Sequence, residues 1–196
     1  APGQVNSLKF SRNGKLLLAA GGRGGQSGKA ILFDLATGKP VIEVGQETDA
    51  ILCADLSADQ SRIAVGSPSK IVRVYSTADG SVLKEIKKHT DWVTAVEFSP
   101  DGVLLASGDR AGGLYVWEAQ SGNEFFTLKG PPAMVNDLAW RDDANSLGVA
   151  CEDGTLRLFE MENGTQTKAW GAHANGAASV RFAHDNRIAS TGRNKH

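Results

Sequence analysis

The stretch "HTDWVTAVEFSPDGVLLASGDRAGGLYVW" at residues 89–117 decides the fold. Its apolar residues fall into short runs, "VTAVEF", "GVLLAS" and "GLYVW", rich in Val, Leu and aromatics. Turn formers separate them: Pro and Asp-Gly in "SPDG" at 99–102, then "GDRAGG" at 108–113. Short runs bounded this way read as strands joined by tight turns. No amphipathic helical spacing competes. The strands are predicted at Val93–Phe98, Val103–Ser107 and Leu114–Trp117, with a fourth just beyond, at Glu124–Leu128. Runs that are apolar on both faces suit a sheet packed between two neighbours.

The first run recurs along the chain. "VNSLKFSRNG" at 5–14, "ILCADLSADQ" at 51–60, "VTAVEFSPDG" at 93–102, "VNDLAWRDDA" at 135–144 and "AASVRFAHDN" at 177–186 stack on Phe10, Leu56, Phe98, Trp140 and Phe182. By subtraction these anchors are 46, 42, 42 and 42 residues apart. A second series, anchored at Phe33, Tyr75, Trp117 and Phe159, repeats every 42 residues. Each of its members runs into a glycine: Gly38, Gly80, Gly122 and Gly164. A four-stranded unit repeated at this period reads as a blade, and radially stacked blades make a β-propeller. The expected fold is all-β, with blades over about 5–45, 51–87, 93–129 and 135–171 and a partial one over 177–196.

These residues resemble the WD-repeat β-propeller family, most clearly over 89–117 and over "CEDGTLRLF" at 151–159, and the likeness covers nearly the whole chain. The compact "SPDG" repeats look like those of bacterial members. The resemblance implies an interaction scaffold. It also implies a buried network of His, Ser/Thr, Asp and Trp within a blade. By family spacing, repeat three supplies His89, Ser107 and Trp117, but Ala111 stands where the Asp belongs. Repeat four supplies Asp153 with Pro131, Val149 and Phe159 at the other places, and repeat two has Glu47, Val65, Ser69 and Tyr75. Repeat five has His173, Ser190 and Asn194. On this reading no repeat holds the full network, and packing is expected to hold the blades together. The family usually closes with seven blades, so four and a half imply open faces at both ends and an unpaired edge near Ile188–Thr191. The first expectation is a piece of a longer propeller. The alternatives are assembly with a copy of itself or a second chain, and a four-bladed ring with a tail.

Bulk properties narrow the function. The net charge of −1 argues against an electrostatic nucleic-acid binder. No apolar run approaches the roughly 18 residues of a membrane span. Cys53 and Cys151 lack metal or redox spacing and read as small buried hydrophobes, which leaves the compartment open. The histidines His89, His173, His184 and His196 show no metal-ligand spacing, and no Cys-x-x-Cys-His haem motif is present. His89 and Asp91 share a loop whose family role is structural, and "DDAN" at 142–145 reads as a surface turn. No cofactor and no catalytic residue is assigned.

"GGRGGQSGKA" at 21–30 resembles a phosphate-cradling loop only in composition. Counting back from Gly28-Lys29, the required first Gly is Arg23, and Ala30 replaces the Ser/Thr. The dinucleotide fingerprint fails as well, because Gly22-x-Gly24 is followed by Ser27. Phe10 to Phe33 is 23 residues, against 19 for the same step in repeats two to four. Repeat one therefore carries four extra residues, read as an enlarged, mobile turn between its second and third strands. Deleting Gly24–Ser27 is expected to leave the fold intact.

The functional expectation is a non-catalytic scaffold that binds a protein or peptide on the loop face. The alternative is an accessory segment of a larger bacterial multidomain protein, joined for example to a c-type cytochrome or another enzymatic domain. Trp92 lies in the loop before the first strand of repeat three; Ala50 and Met134 are its counterparts. An exposed Trp near a Met suits a binding hot spot. Arg23, Lys29, Lys70 and Arg110 are placed on the same face, where they would meet an acidic peptide or carboxylate. Trp117, Trp140 and Trp170 are expected in the core.

Overall fold

The computed structural model describes residues 3–193, the Gln46 side chain excepted. Every helix or strand among them is a strand. Blade one holds β1 (Gln4–Phe10), β2 (Leu16–Arg23), β3 (Ser27–Asp34) and β4 (Pro40–Glu47). Blade two holds β5 (Cys53–Leu56), β6 (Arg62–Gly66), β7 (Val72–Ser76) and β8 (Val82–Ile86). Blade three holds β9 (Val93–Phe98), β10 (Leu104–Asp109), β11 (Leu114–Glu118) and β12 (Glu124–Leu128). Blade four holds β13 (Val135–Trp140), β14 (Ser146–Cys151), β15 (Thr155–Glu160) and β16 (Thr165–Gly171). Strands β17 (Ala177–Phe182) and β18 (Ile188–Gly192) form a two-stranded sheet. Each four-stranded sheet is an antiparallel meander in chain order. The sheets are consecutive propeller blades, and the ring is not closed.

A repeated clamp explains the turn after the first strand. The Ser11, Ser57 and Ser99 hydroxyls donate to Asn13, Asp59 and Asp101 at 2.8, 2.6 and 2.5 Å. The same three hydroxyls accept the amides of Leu16, Arg62 and Leu104, where the chain re-enters the sheet. Short polar side chains that bond nearby backbone favour turns in this way. One residue of each turn is left-handed: Gly14, Gln60, Gly102, Ala144 and Asn186, with φ of 68, 64, 74, 59 and 64°. Glycine fills only two of these places, so Gln60 and Ala144 each carry about 1 kcal/mol of backbone strain.

The core lies between sheets. In blade three, Ala95, Leu104, Ala106, Leu114, Val116 and Leu128 form one face; blade four meets them with Val135, Leu138, Trp140, Leu147, Val149 and Phe159. The other junctions repeat this arrangement. The receiving residues of the first strand sit at the anchor and two and five places before it. Ile51, Val93, Val135 and Ala177, all five places before, are fully buried. Their counterpart in blade one, Val5, is 58% exposed, and Leu8 and Phe10 are 60% and 68% exposed. Blade one thus presents a complete receiving face with nothing against it among the described residues.

Two expectations need correction. Trp117 and Trp140 are buried, but Trp170 is 38% exposed. It sits on β16, an outermost strand that pairs only with β15 and whose residues are all exposed. The extra residues of blade one do not enlarge the turn. They lengthen the hairpin, with Gly21 opposite Lys29, Gly22 opposite Gly28 and Arg23 opposite Ser27, leaving Gly24, Gly25 and Gln26 as a tight turn. The Gly25 amide donates to Asp49 at 2.9 Å. Deleting Gly24–Ser27 leaves Ala20 opposite Ala30 across five residues, the loop length between Gly108 and Leu114 in blade three. The thermal midpoint of that deletion is expected to fall by only the equivalent of about 1 kcal/mol.

Candidate protein-interaction face

The loops before the first strands and those between the second and third strands share one face. The Arg110 amide donates to the Trp92 carbonyl at 2.9 Å, and the Glu152 amide donates to the Met134 carbonyl at 2.9 Å. Across blade boundaries, the amides of Ile51 and Val93 donate to the carbonyls of Gly21 and Ser67. On this face Trp92 is 41% exposed, and the Arg110 guanidinium lies 4.9 Å from its ring centre. Such a cation–π contact at an exposed site stabilises by about 0.5–1 kcal/mol and holds the indole in place. Of the other sequence candidates, Met134 is half-buried and Ala50 is buried. Lys29 is paired with Glu43 along the flank of blade one. Arg23 and Lys70 are exposed and make no salt bridge among the described residues.

Beneath this face blade three holds a complete polar network. His89 Nδ1 meets Asp109 Oδ2 at 2.8 Å, His89 Nε2 meets Ser107 Oγ at 2.7 Å, and Trp117 Nε1 donates to the same hydroxyl at 2.8 Å. The expectation that no repeat holds the network is therefore corrected. Ala111 stands at the family's place, but Asp109, two residues earlier at the end of β10, takes the role. Its Oδ1 accepts the amides of Ala111 and Gly113. Burial pushes the Asp109 carboxyl up, yet the His89 and Gly113 hydrogen bonds outweigh that and hold it below the usual range.

Two family models match. The one for "WD domain, G-beta repeat" covers residues 80–118, and that for "Anaphase-promoting complex subunit 4 WD40 domain" covers 126–185. The chain belongs to the WD-repeat family. WD-repeat proteins are generally non-catalytic interaction scaffolds. The "WD repeat-containing protein 91 homolog" of Dictyostelium discoideum is 34% identical over 67 residues, which are 34% of this chain and 9% of that protein. "WD repeat-containing protein 91" of Bos taurus is 34% identical over 68 residues, again 34% and 9%. The chain thus matches about a tenth of the length of these curated relatives. Among solved structures, the computationally designed Ika8 protein superposes with a TM-score of 0.80 at 21% identity, over 95% of this chain and 55% of that one.

The other WD repeats vary the network. In blade two Glu47 takes the histidine's place, with Arg73 Nη1 at 2.5 Å, Ser67 Oγ at 3.3 Å and Tyr75 Oη at 3.4 Å. Burial, with the Glu47 charge adding to it, pushes the Tyr75 phenol up to about 12. In blade four Asp153 caps its own turn, accepting the Thr155 amide and hydroxyl. In the fifth repeat His173 Nε2 meets Ser190 Oγ at 3.0 Å; Asn194, like His196, lies outside the described residues. Cys53 and Cys151 are buried free thiols. Among the described residues, no three His, Cys, Asp or Glu side chains group to hold a metal, and no helix is long and apolar enough to cross a membrane.

A feature the sequence reading missed lines the axis where the first strands converge. The residue before the anchor is charged in four repeats: Lys9, Asp55, Glu97 and Arg181. Lys9 Nζ lies 3.5 Å from Glu97 and 4.0 Å from Asp55, and Arg181 pairs with Asp137 at 2.6 Å. Burial pushes Lys9 down, but Glu97 and Asp55 outweigh it and raise its pKa. Burial pushes the Glu97 carboxyl up to about 7 against the opposing pull of Lys9. A carboxyl raised on folding binds its proton more tightly in the native state, so stability falls as pH rises through the window between its unfolded and folded values. Between pH 5 and 8 wild type is expected to lose about 2 kcal/mol that Glu97→Gln keeps. Denaturant titrations of both proteins at the two pH values check this; parallel profiles refute it.

Proposed function

We propose that this chain is a non-catalytic scaffold that binds a protein or peptide segment through the face carrying Trp92 and Arg110. The observation that carries the reading is the exposed indole held under a guanidinium. An apolar side chain packs against the free face of Trp92, while a carboxylate reaches the outward N–H groups of Arg110. The histidine and aspartate beneath are committed to a buried network rather than open to substrate, which supports a binding role over a catalytic one.

Trp92→Ala and Arg110→Ala chains are the test, each first shown to unfold cooperatively with a thermal midpoint within a few degrees of wild type. For a partner recovered by affinity purification with wild type, each is expected to weaken binding by about tenfold or more. A folded Trp92→Ala chain that retains every wild-type partner overturns the assignment.

A further inference from the structure

The opposite face is built from the turns that follow the first and third strands, and it carries a groove of about 890 Å³ between blades three and four. Its floor is apolar. Val103 is 59% and Phe125 44% exposed there, beside the buried Leu104 and Met161. The Phe125 ring stands edge-on against Phe126 at 4.6 Å, and Phe126 packs on the blade core. Phe125 is therefore a fixed apolar platform rather than a loose side chain.

The rim is acidic, with Asp101, Glu118, Asp143, Glu160 and Glu162. Two arginines share the lining, so five carboxylates and two guanidiniums leave the groove a net charge of −3. Arg62 donates to the Ala119 carbonyl at 3.0 Å, and Arg141 is held by Asp143 through two bonds of 2.9 Å. The other four carboxylates take only hydroxyl or amide donors, or none, and make no salt bridge among the described residues. Many other surface carboxylates are paired: Glu43 with Lys29, Glu124 with Lys88, Asp153 with Arg157, Glu152 with Arg193. On a chain of net charge −1, a net negative charge is thus gathered around one exposed apolar floor.

We infer that this groove receives a cationic, partly apolar peptide segment of another protein. Lys or Arg side chains would neutralise the rim while a Leu or Phe covers Phe125 and Val103. The sign of the rim repels nucleic acid and anionic lipid. The carboxylates do not group as metal ligands, so an extended polycation fits them better than a single ion. A bare polyamine would neutralise the rim and leave the floor wet. The site lies on the face away from Trp92, so either assignment stands or falls without the other.

The test is fluorescence anisotropy with a labelled Lys-Leu-Arg-Lys-Phe-Lys peptide, its Glu/Asp counterpart, and spermine as competitor. The basic peptide is expected to bind, with affinity falling about tenfold between low and moderate salt. Glu118→Gln combined with Glu162→Gln is expected to weaken it about tenfold, Phe125→Ser by a similar factor, and Trp92→Ala not at all. No binding, equal binding of the acidic peptide, or affinity untouched by the double variant overturns the proposal. Competition by spermine at equal charge, with no effect of Phe125→Ser, overturns the peptide assignment in favour of a small polycation.

Discussion

A His89→Ala chain is expected to be about 3–5 kcal/mol less stable than wild type, read from chemical denaturation at neutral pH. His89 links three groups that have little access to water: Asp109, Ser107 and, through Ser107, Trp117. Removing the imidazole leaves the Asp109 carboxylate, at 0% exposure, with only the amides of Ala111 and Gly113. A buried charge deprived of a partner keeps its full desolvation cost. The edge-on contact of the imidazole with Tyr115, at 4.8 Å, is lost as well. Because folding holds the Asp109 carboxyl low, its stabilising contribution is present above the unfolded carboxylate range and disappears as pH falls through the native value. The gap between variant and wild type should therefore narrow in acid. Adding Asp109→Asn to His89→Ala should recover part of the loss, since it removes the stranded charge. A loss below about 1 kcal/mol would show that packing alone holds blade three.

Trp140→Ala and Phe10→Ala are expected to give opposite results although they remove anchors from the same place in the repeat. Trp140 is 5% exposed, fills the junction between blades three and four, and donates from Nε1 to the Glu97 carbonyl at 3.0 Å. Its truncation leaves a cavity at the blade junction and removes this cross-blade hydrogen bond, and should cost about 3–5 kcal/mol. Phe10 is 68% exposed. Its truncation should stay within about 0.5 kcal/mol. Thermal melts of the two variants check the pair, and a similar loss for both would mean that blade one's outer face is covered in solution.

The fold was legible because the repeat states it many times. In repeat three, β9 and β12 fall where the apolar runs predict, and β10 and β11 within two residues. Trp92 and Arg110 were legible as loop residues, but their stacking was not, since it depends on how two loops 18 residues apart in sequence meet. Asp109 was missed because family spacing points to position 111, and only the path of the chain out of β10 brings the earlier carboxylate to the imidazole. Trp170 was misjudged because spacing cannot tell an outermost strand from an inner one. The axial charges carried a signal, an ionisable residue directly before the anchor in four of five repeats, which an eye on apolar anchors passes over. The acidic groove carried none, for its rim comes from separate turns joined only by folding.

The polar residue four places before the anchor has a wider consequence. Asn6 donates to the Ile51 carbonyl at 2.8 Å, Thr94 to Val135 at 2.6 Å and Asn136 to Ala177 at 2.8 Å. Each reaches a backbone group of the next blade, and a carbonyl is offered whatever side chain the neighbour bears. Blades three and four thus contain both halves of their seam, a donor and an aliphatic face toward one neighbour and a carbonyl and a receiving face toward the other, whereas blade two has Leu52 at the donor's place. A tandem duplication of blade three or blade four would arrive with matching seams already on both sides, so the array can lengthen through those units without compensating substitutions.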